Sequence, residues 1–200
     1  MNLKKGEEAI ETSFFAVGSN TSKIRLEITH PWGRPLLHMV ADKTDVSILS
    51  LTDKKFFKGP PNALGIKHFF LDGIDLDLAL KIFSASIPML PAPGGAVSLN
   101  PLEISLYNKE GELVEKITFY SGTLLPKSIY LPNKGLTIIF SEFKQGDVGP
   151  HPLKIEVLSE NKDQLVMIHY KSLTFNKPVP KEIFQLNPPP NFEIINLNNS

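Results

Sequence analysis

The run Ile24-Arg25-Leu26-Glu27-Ile28-Thr29, the loop His30-Pro31-Trp32-Gly33-Arg34-Pro35 and the run Leu36-Leu37-His38-Met39-Val40 follow one another without a break. In the first run Ile24, Leu26 and Ile28 alternate with Arg25, Glu27 and Thr29, the two-residue period of a half-buried strand. The loop holds two prolines and a glycine, which makes it tight and stiff. The run after it is apolar on both faces, so that strand must be covered on both sides or open onto a lipid-like interior. Strand, hairpin, strand is the reading. It repeats along the chain.

Working outward, Val46 and Ile48 alternate with polar neighbours, as do Leu102, Ile104 and Leu106, then Leu136, Ile138 and Phe140, and then Leu153, Ile155 and Val157. Leu165-Val166-Met167-Ile168 is a second run apolar on both faces. Turn formers separate these runs at 18–21, 42–45, 108–111, 132–135 and 161–163. The spacing predicts one large antiparallel sheet or barrel, with a wet side and a packed side. One stretch, about 62–86, reads as helical, with Asn62 a candidate N-cap after Pro60-Pro61. Asp72-Gly73 divides it into two short helices. In the second, Ile74, Leu76, Leu78, Leu80, Ile82 and Phe83 make more than half the circumference apolar, and Asp75 and Asp77 suit its first turn. The prolines of 87–101 predict an extended connector, with Gly94-Gly95 as a turn.

Composition narrows the function. Of 200 residues, 21 are Lys or Arg and 21 are Asp or Glu, so no net charge favours coating nucleic acid. The 42% hydrophobic content suits a single folded domain over 1–200. Thirteen Phe stand against one Trp and four Tyr, so most of the aromatic mass carries no polar handle and favours burial. Without cysteine there is no disulfide, thiolate metal site or cysteine nucleophile. The opening residues lack the apolar stretch of a signal peptide.

Candidates for chemistry are thin. His30, His38, His68, His151 and His169 show no zinc-ligand spacing, and Asp72, Asp75 and Asp77 are explained by helix-start chemistry. No nucleophile elbow, phosphate loop or dinucleotide fingerprint occurs, so no catalytic residue, metal or cofactor is assigned. Lys54-Lys55-Phe56-Phe57 reads as a turn entering a strand, not a nucleic-acid patch. Trp32 stands out. Its ring either folds back onto the sheet edge or is presented to a membrane interface or a partner, with Arg34 placed to meet a phosphate.

The stretch of residues 24–91 resembles the family of the outer-membrane lipoprotein receptor LolB and, more distantly, the periplasmic carrier LolA. The matching order is Leu26-Glu27-Ile28-Thr29, the loop His30-Pro31-Trp32-Gly33, strands through Leu51, a turn at Asp53-Lys54, Phe56-Phe57 and an apolar helical stretch ending near Pro88. The later hairpins and Lys181-Glu182-Ile183-Phe184-Gln185-Leu186, followed by Asn187-Pro188-Pro189-Pro190, are in keeping with it. The resemblance implies a half-open antiparallel β-barrel or curved sheet, mainly β with a short α insert, and a helical lid at about 62–86. It also implies an apolar cavity for lipoprotein acyl chains. Pro31, Trp32, Gly33 and Arg34 then form a membrane-insertion loop. The family's first helix and part of its leading strands are shortened here, its lipid-modified cysteine is absent, and the carrier's arginine latch has no clear counterpart.

Acyl chains bind by leaving water at about 0.8 kcal/mol per CH₂, which asks for a dry pocket and few hydrogen bonds. The residues expected to line it are Leu26, Leu37, Met39, Ile48, Leu78, Ile82, Phe83, Phe119, Phe140 and Met167, with plain core packing as the alternative for each. The expected function is non-enzymatic: holding acyl chains of lipoproteins or other lipids and delivering lipoproteins to the outer membrane. Its expected partners are a membrane surface and a periplasmic lipoprotein carrier, with no nucleic acid. Its expected place is the periplasm or the periplasmic face of the outer membrane, with a lipid anchor on a segment before Met1. The alternative is a structural lipoprotein or protein-interaction module whose interior is filled by its own side chains.

Overall fold

The computed structural model describes residues 1–19, 23–61, 69, 73–90, 94–147, 149–161 and 163–197, the side chain of Leu99 excepted. Its strands, in chain order, are β1 (Asn2–Lys5), β2 (Glu8–Glu11), β3 (Ser13–Ser19), β4 (Lys23–Thr29), β5 (Pro35–Ala41), β6 (Val46–Ser50), β7 (Lys55–Gly59) and β8 (Gly95–Asn100). They continue with β9 (Glu103–Tyr107), β10 (Leu113–Phe119), β11 (Pro126–Leu131), β12 (Leu136–Gly146), β13 (Gly149–Ser159), β14 (Gln164–His169) and β15 (Glu193–Asn196). The α-helix among the described residues is α1 (Leu76–Phe83). The protein is mainly β with a short α insert, as its alternating runs predict. The strands form two open sheets, of nine and six strands, rather than a closed barrel. No described helix is long and apolar enough to cross a membrane.

The chain packs as two compact units, one of Met1, Glu11–Ser84 and Asn176–Ser200, the other of Asn2–Ile10 and Ala85–Phe175. In the first unit the six-stranded sheet runs β15-β7-β6-β5-β4-β3, antiparallel except that β15 pairs with β7 in parallel. Its register explains its core. Phe14 faces Ile28, Ala16 faces Leu26, Leu26 faces Met39, Met39 faces Ile48, and Ile48 faces Phe57. Every second residue therefore joins one apolar face, where Ile24, Leu26, Met39, Ala41, Val46 and Ile48 cluster with Leu76 of α1 and with Leu197. The opposite face is partly covered as well: Leu49 and Phe56 are buried. On that face the Arg25 guanidinium donates to the carbonyls of Ile183 (3.0 Å) and Gln185 (3.3 Å), and its Nε reaches Glu27 at 2.6 Å. The C-terminal stretch is thus tied across β4 by charge-assisted bonds from one guanidinium to two of its carbonyls.

The helix begins slightly later than expected, leaving Ile74 before it and moving Asp75 from the first turn to the cap. Asp75 is its N-cap, accepting from the Leu78 N–H at 2.9 Å, and Asp77 sits in the first turn. Leu76, Leu78, Ala79 and Ile82 are buried. The earlier helix expected from Asn62 falls on residues 62–68 and 70–72, outside the described residues.

In the second unit the sheet runs β2-β1-β14-β13-β12-β11-β10-β9-β8. Ile117 pairs with Ile129, Ile129 with Ile138, Ile138 with Val157, and Val157 with Val166, a ladder of buried residues across five strands. Glu115 lies fully buried in β10, and its Oε2 accepts from the Leu90 N–H at 2.7 Å. The extended connector expected over 87–101 differs in one respect. Residues 86–90 are irregular, but Gly95–Asn100 form edge strand β8, paired with β9. Pairing an edge needs backbone groups, not an alternating pattern, so its strand character left little mark on the residues. Gly94 shows the tightest approach, since a Cβ there would come within 1.7 Å of the Asn108 carbonyl oxygen. Strands β1 to β3 carried no clear alternation either, and β2 is exposed along its whole length.

Two outcomes test these local devices. Asp75→Ala removes the N-cap acceptor and lowers unfolding stability by about 1 kcal/mol, read as a lower urea midpoint. Asp42, in the β5–β6 turn, accepts from the Thr44 hydroxyl (2.7 Å), the Thr44 N–H (2.8 Å) and the Asp45 N–H (2.9 Å). The Thr44 hydroxyl first, then the two N–H groups, hold its carboxyl at about 2, below the ordinary 3.8. A depressed folded pKa stabilises above the unfolded value and stops doing so as pH falls through the folded one. The stability gap between the wild type and Asp42→Asn therefore narrows from pH 5 towards pH 2, and a gap independent of pH would contradict this role.

Candidate functional site

The loop between β4 and β5 is built from five residues. The His30 N–H donates to the Arg34 carbonyl at 2.8 Å, and the Gly33 N–H donates to the His30 carbonyl at 2.8 Å. That second bond closes a turn over Pro31 and Trp32, and Gly33 follows it with φ +83°. This is a hairpin turn of type I followed by a left-handed residue, for which proline at the second place and glycine at the fourth are the natural choices. The His30 ring reinforces the tip: its Nδ1 accepts from the Trp32 N–H at 3.4 Å, and the two rings meet edge to face at 5.0 Å. Pro31, Trp32, Gly33 and Arg34 are all exposed, and Trp32 keeps 91% of its surface open to water. Of the two placements open from sequence, the indole takes the outward one. A ring of this size is seldom left so bare, because burying it would stabilise the chain by several kcal/mol at about 25 cal/mol per Å².

The residues expected to line an apolar interior divide between the two units. In the first, Leu26, Met39 and Ile48 belong to the buried cluster, while Leu37 and Phe83 are half-buried against it. Leu78 and Ile82 are buried on α1. Two edge-to-face pairs, Phe14 with Phe83 (5.6 Å) and Phe57 with Phe69 (4.9 Å), involve half-buried rings packed on the same cluster. In the second unit Phe140 is fully buried, and Phe119 and Met167 are half-buried.

One exposed residue escaped the sequence reading. Leu124, in the loop between β10 and β11, is 92% exposed. Its signal was an apolar pair, Leu124-Leu125, directly after Ser121-Gly122-Thr123, a place where a turn would ordinarily carry polar residues. Among the described residues no group of three or more His, Cys, Asp or Glu is arranged to hold a metal ion.

No protein-family model and no curated protein sequence matches the chain. Solved structures do. A DUF1329 family protein from Desulfovibrio piger superposes with a TM-score of 0.57 at 11% identity, over 92% of this chain and 86% of that one. A proposed outer membrane lipoprotein-sorting protein domain from Vibrio parahaemolyticus superposes with a TM-score of 0.56 at 8% identity, over 92% of this chain and 85% of that one. At such identities what is shared is the fold, and this agrees with the architecture the sequence resemblance implied.

The loop geometry predicts the effect of one methyl group. A Cβ on Gly33 would meet nothing within 4 Å, so Gly33→Ala adds no clash and acts through its positive φ alone. It lowers stability by about 1 kcal/mol in urea unfolding and makes the single-tryptophan emission more heterogeneous, because the tip loses its one backbone shape.

Proposed function

We propose that the protein is a non-enzymatic lipid- or lipoprotein-binding protein of the bacterial envelope. It holds acyl chains on an apolar interior and uses the tip of residues 31–34 to engage the membrane to which lipoproteins are delivered. The observation that carries this reading is the 91% exposure of an indole on a hydrogen-bonded loop. Trp favours the headgroup level of a bilayer, where its apolar body and N–H are both satisfied, and Arg34 beside it suits lipid phosphate. A stiff tip loses little conformational entropy on insertion, so most of the gain from burying the ring is kept. The likeness in fold to a proposed lipoprotein-sorting domain supports the reading, as does the half-buried apolar rim of Leu37, Phe57, Leu80 and Phe83 around the first unit's core. A location in the periplasm or on the periplasmic face of the outer membrane goes with this proposal, as does a periplasmic carrier as donor.

A second reading has its own support. Met39 and Ile48 are sealed within the first unit, which favours a filled interior and a protein-interaction role.

Two measurements separate them. Trp32→Glu leaves the far-ultraviolet spectrum and urea midpoint unchanged, since the ring packs on nothing larger than His30, and lowers transfer of an acylated lipoprotein to vesicles at least tenfold. Unchanged transfer would remove the loop from the mechanism. The purified protein also acquires a fluorescent fatty-acyl probe, retained through native mass spectrometry; a protein that takes up none has a filled interior.

A further inference from the structure

Among the described residues, six of the eight large apolar residues most open to water are between 38% and 62% exposed. Four of them, Ile10, Phe15, Val97 and Ile194, lie on β2, β3, β8 and β15, the outermost strands of the two sheets, where partial exposure is the ordinary result of having one neighbour. Two residues stand apart, Trp32 at 91% and Leu124 at 92%, and both sit at the tips of hairpin connections.

The Leu124 loop is held as firmly as the Trp32 loop. The Tyr120 N–H donates to the Leu125 carbonyl at 3.0 Å, and the Thr123 N–H to the Tyr120 carbonyl at 3.3 Å. The Thr123 hydroxyl donates to the Tyr120 carbonyl (3.4 Å) and accepts from the Leu125 N–H (3.2 Å). Gly122 supplies φ +73° for the turn, and the Tyr120 hydroxyl anchors the base by donating to the Phe140 carbonyl at 2.8 Å. The neighbouring turn adds to the tip. The Phe119 N–H donates to the Leu102 carbonyl at 2.8 Å, so the β8–β9 turn abuts the β10–β11 loop, and Leu102 is itself 38% exposed. One end of the nine-stranded sheet thus carries Pro101-Leu102 beside Leu124-Leu125.

We propose that this end is a second lipid-contacting site, with Leu124 as the inserted side chain and Lys127 meeting anionic headgroups. Charge allows that occupant: Lys127 is the only charged residue from 119 to 133, and the carboxylates that adjoin this end, Glu103 after Leu102 and Glu142 before Phe143, lie against Lys116 (2.9 Å) and His169 (3.1 Å). Size favours it. A specific protein interface takes about 20–30 residues from each side, whereas a bilayer rewards a single projecting side chain by the area it removes from water. The choice of a membrane as occupant rests on the reading of Trp32 given above, but the two sites fail separately in the test.

The test uses the protein's one tryptophan as a movable reporter. The wild type reports on position 32, and the variant Trp32→Phe/Leu124→Trp reports on position 124. Both are mixed with vesicles of phosphatidylcholine and phosphatidylglycerol, with and without brominated acyl chains. In the double variant, emission shifts to the blue and is quenched by the brominated lipid, and Leu124→Glu in the wild type weakens vesicle binding about tenfold while its urea midpoint stays unchanged. A water-like, unquenched spectrum at position 124 beside a quenched one at position 32 overturns this site and leaves the Trp32 reading standing. Quenching at 124 alone keeps this site and removes the Trp32 reading. Silence at both positions removes both.

Discussion

The hydrogen bonds of residues 30–34 settle where β4 stops and β5 begins, and with that the register of the first unit's sheet. Side chains alternate with a period of two, so a slip of one residue would exchange Ile24, Leu26 and Ile28 for Arg25, Glu27 and Thr29 on the buried face. Several kcal/mol of apolar burial and a stranded Arg25–Glu27 pair oppose that slip. The turn and the core therefore specify the same register from opposite directions. Because the turn is already demanded by the core, Trp32 can be held in water by a loop that gains from the indole only its edge contact with His30.

The same economy appears in the second unit. Its ladder of Ile117, Ile129, Ile138, Val157 and Val166 is continuous across five strands, and the connections at either end follow from it. Tyr120 illustrates the coupling: its ring meets Phe143 edge to face at 6.3 Å while its hydroxyl reaches the Phe140 carbonyl. The exposed Leu124 thus stands on a base fixed by β12. Among the described residues, Glu115 is the one carboxylate placed wholly inside this apolar ladder, and its bond to Leu90 ties the irregular stretch before β8 to the sheet.

A lipid-handling role asks little of polar chemistry, which suits a molecule whose candidate site residues are apolar apart from Arg34 and Lys127. Affinity for acyl chains and membranes scales with area removed from water, and geometry matters chiefly in keeping the apolar groups accessible. Shared fold alone does not carry function between proteins at 8% and 11% identity; the exposed tips and the apolar rims are features of this chain itself.

Local pattern was enough for the mainly β class, the strands from β4 to β6, β9 and β12 to β14, the stiff loop at 30–34 and a short helix beginning near Asp75 and Asp77, because period, turn chemistry and helix-end charge act within a few residues. It could not supply β1 to β3, β8 or the parallel addition of β15 to β7, since edge pairing draws on backbone groups that every sequence possesses. Nor could it choose between a folded-back and an outward Trp32, assign Leu26 and Phe140 to different units, or single out Leu124. Those outcomes depend on which surfaces remain uncovered once distant segments have packed, and that is a property of the assembled chain rather than of any stretch within it.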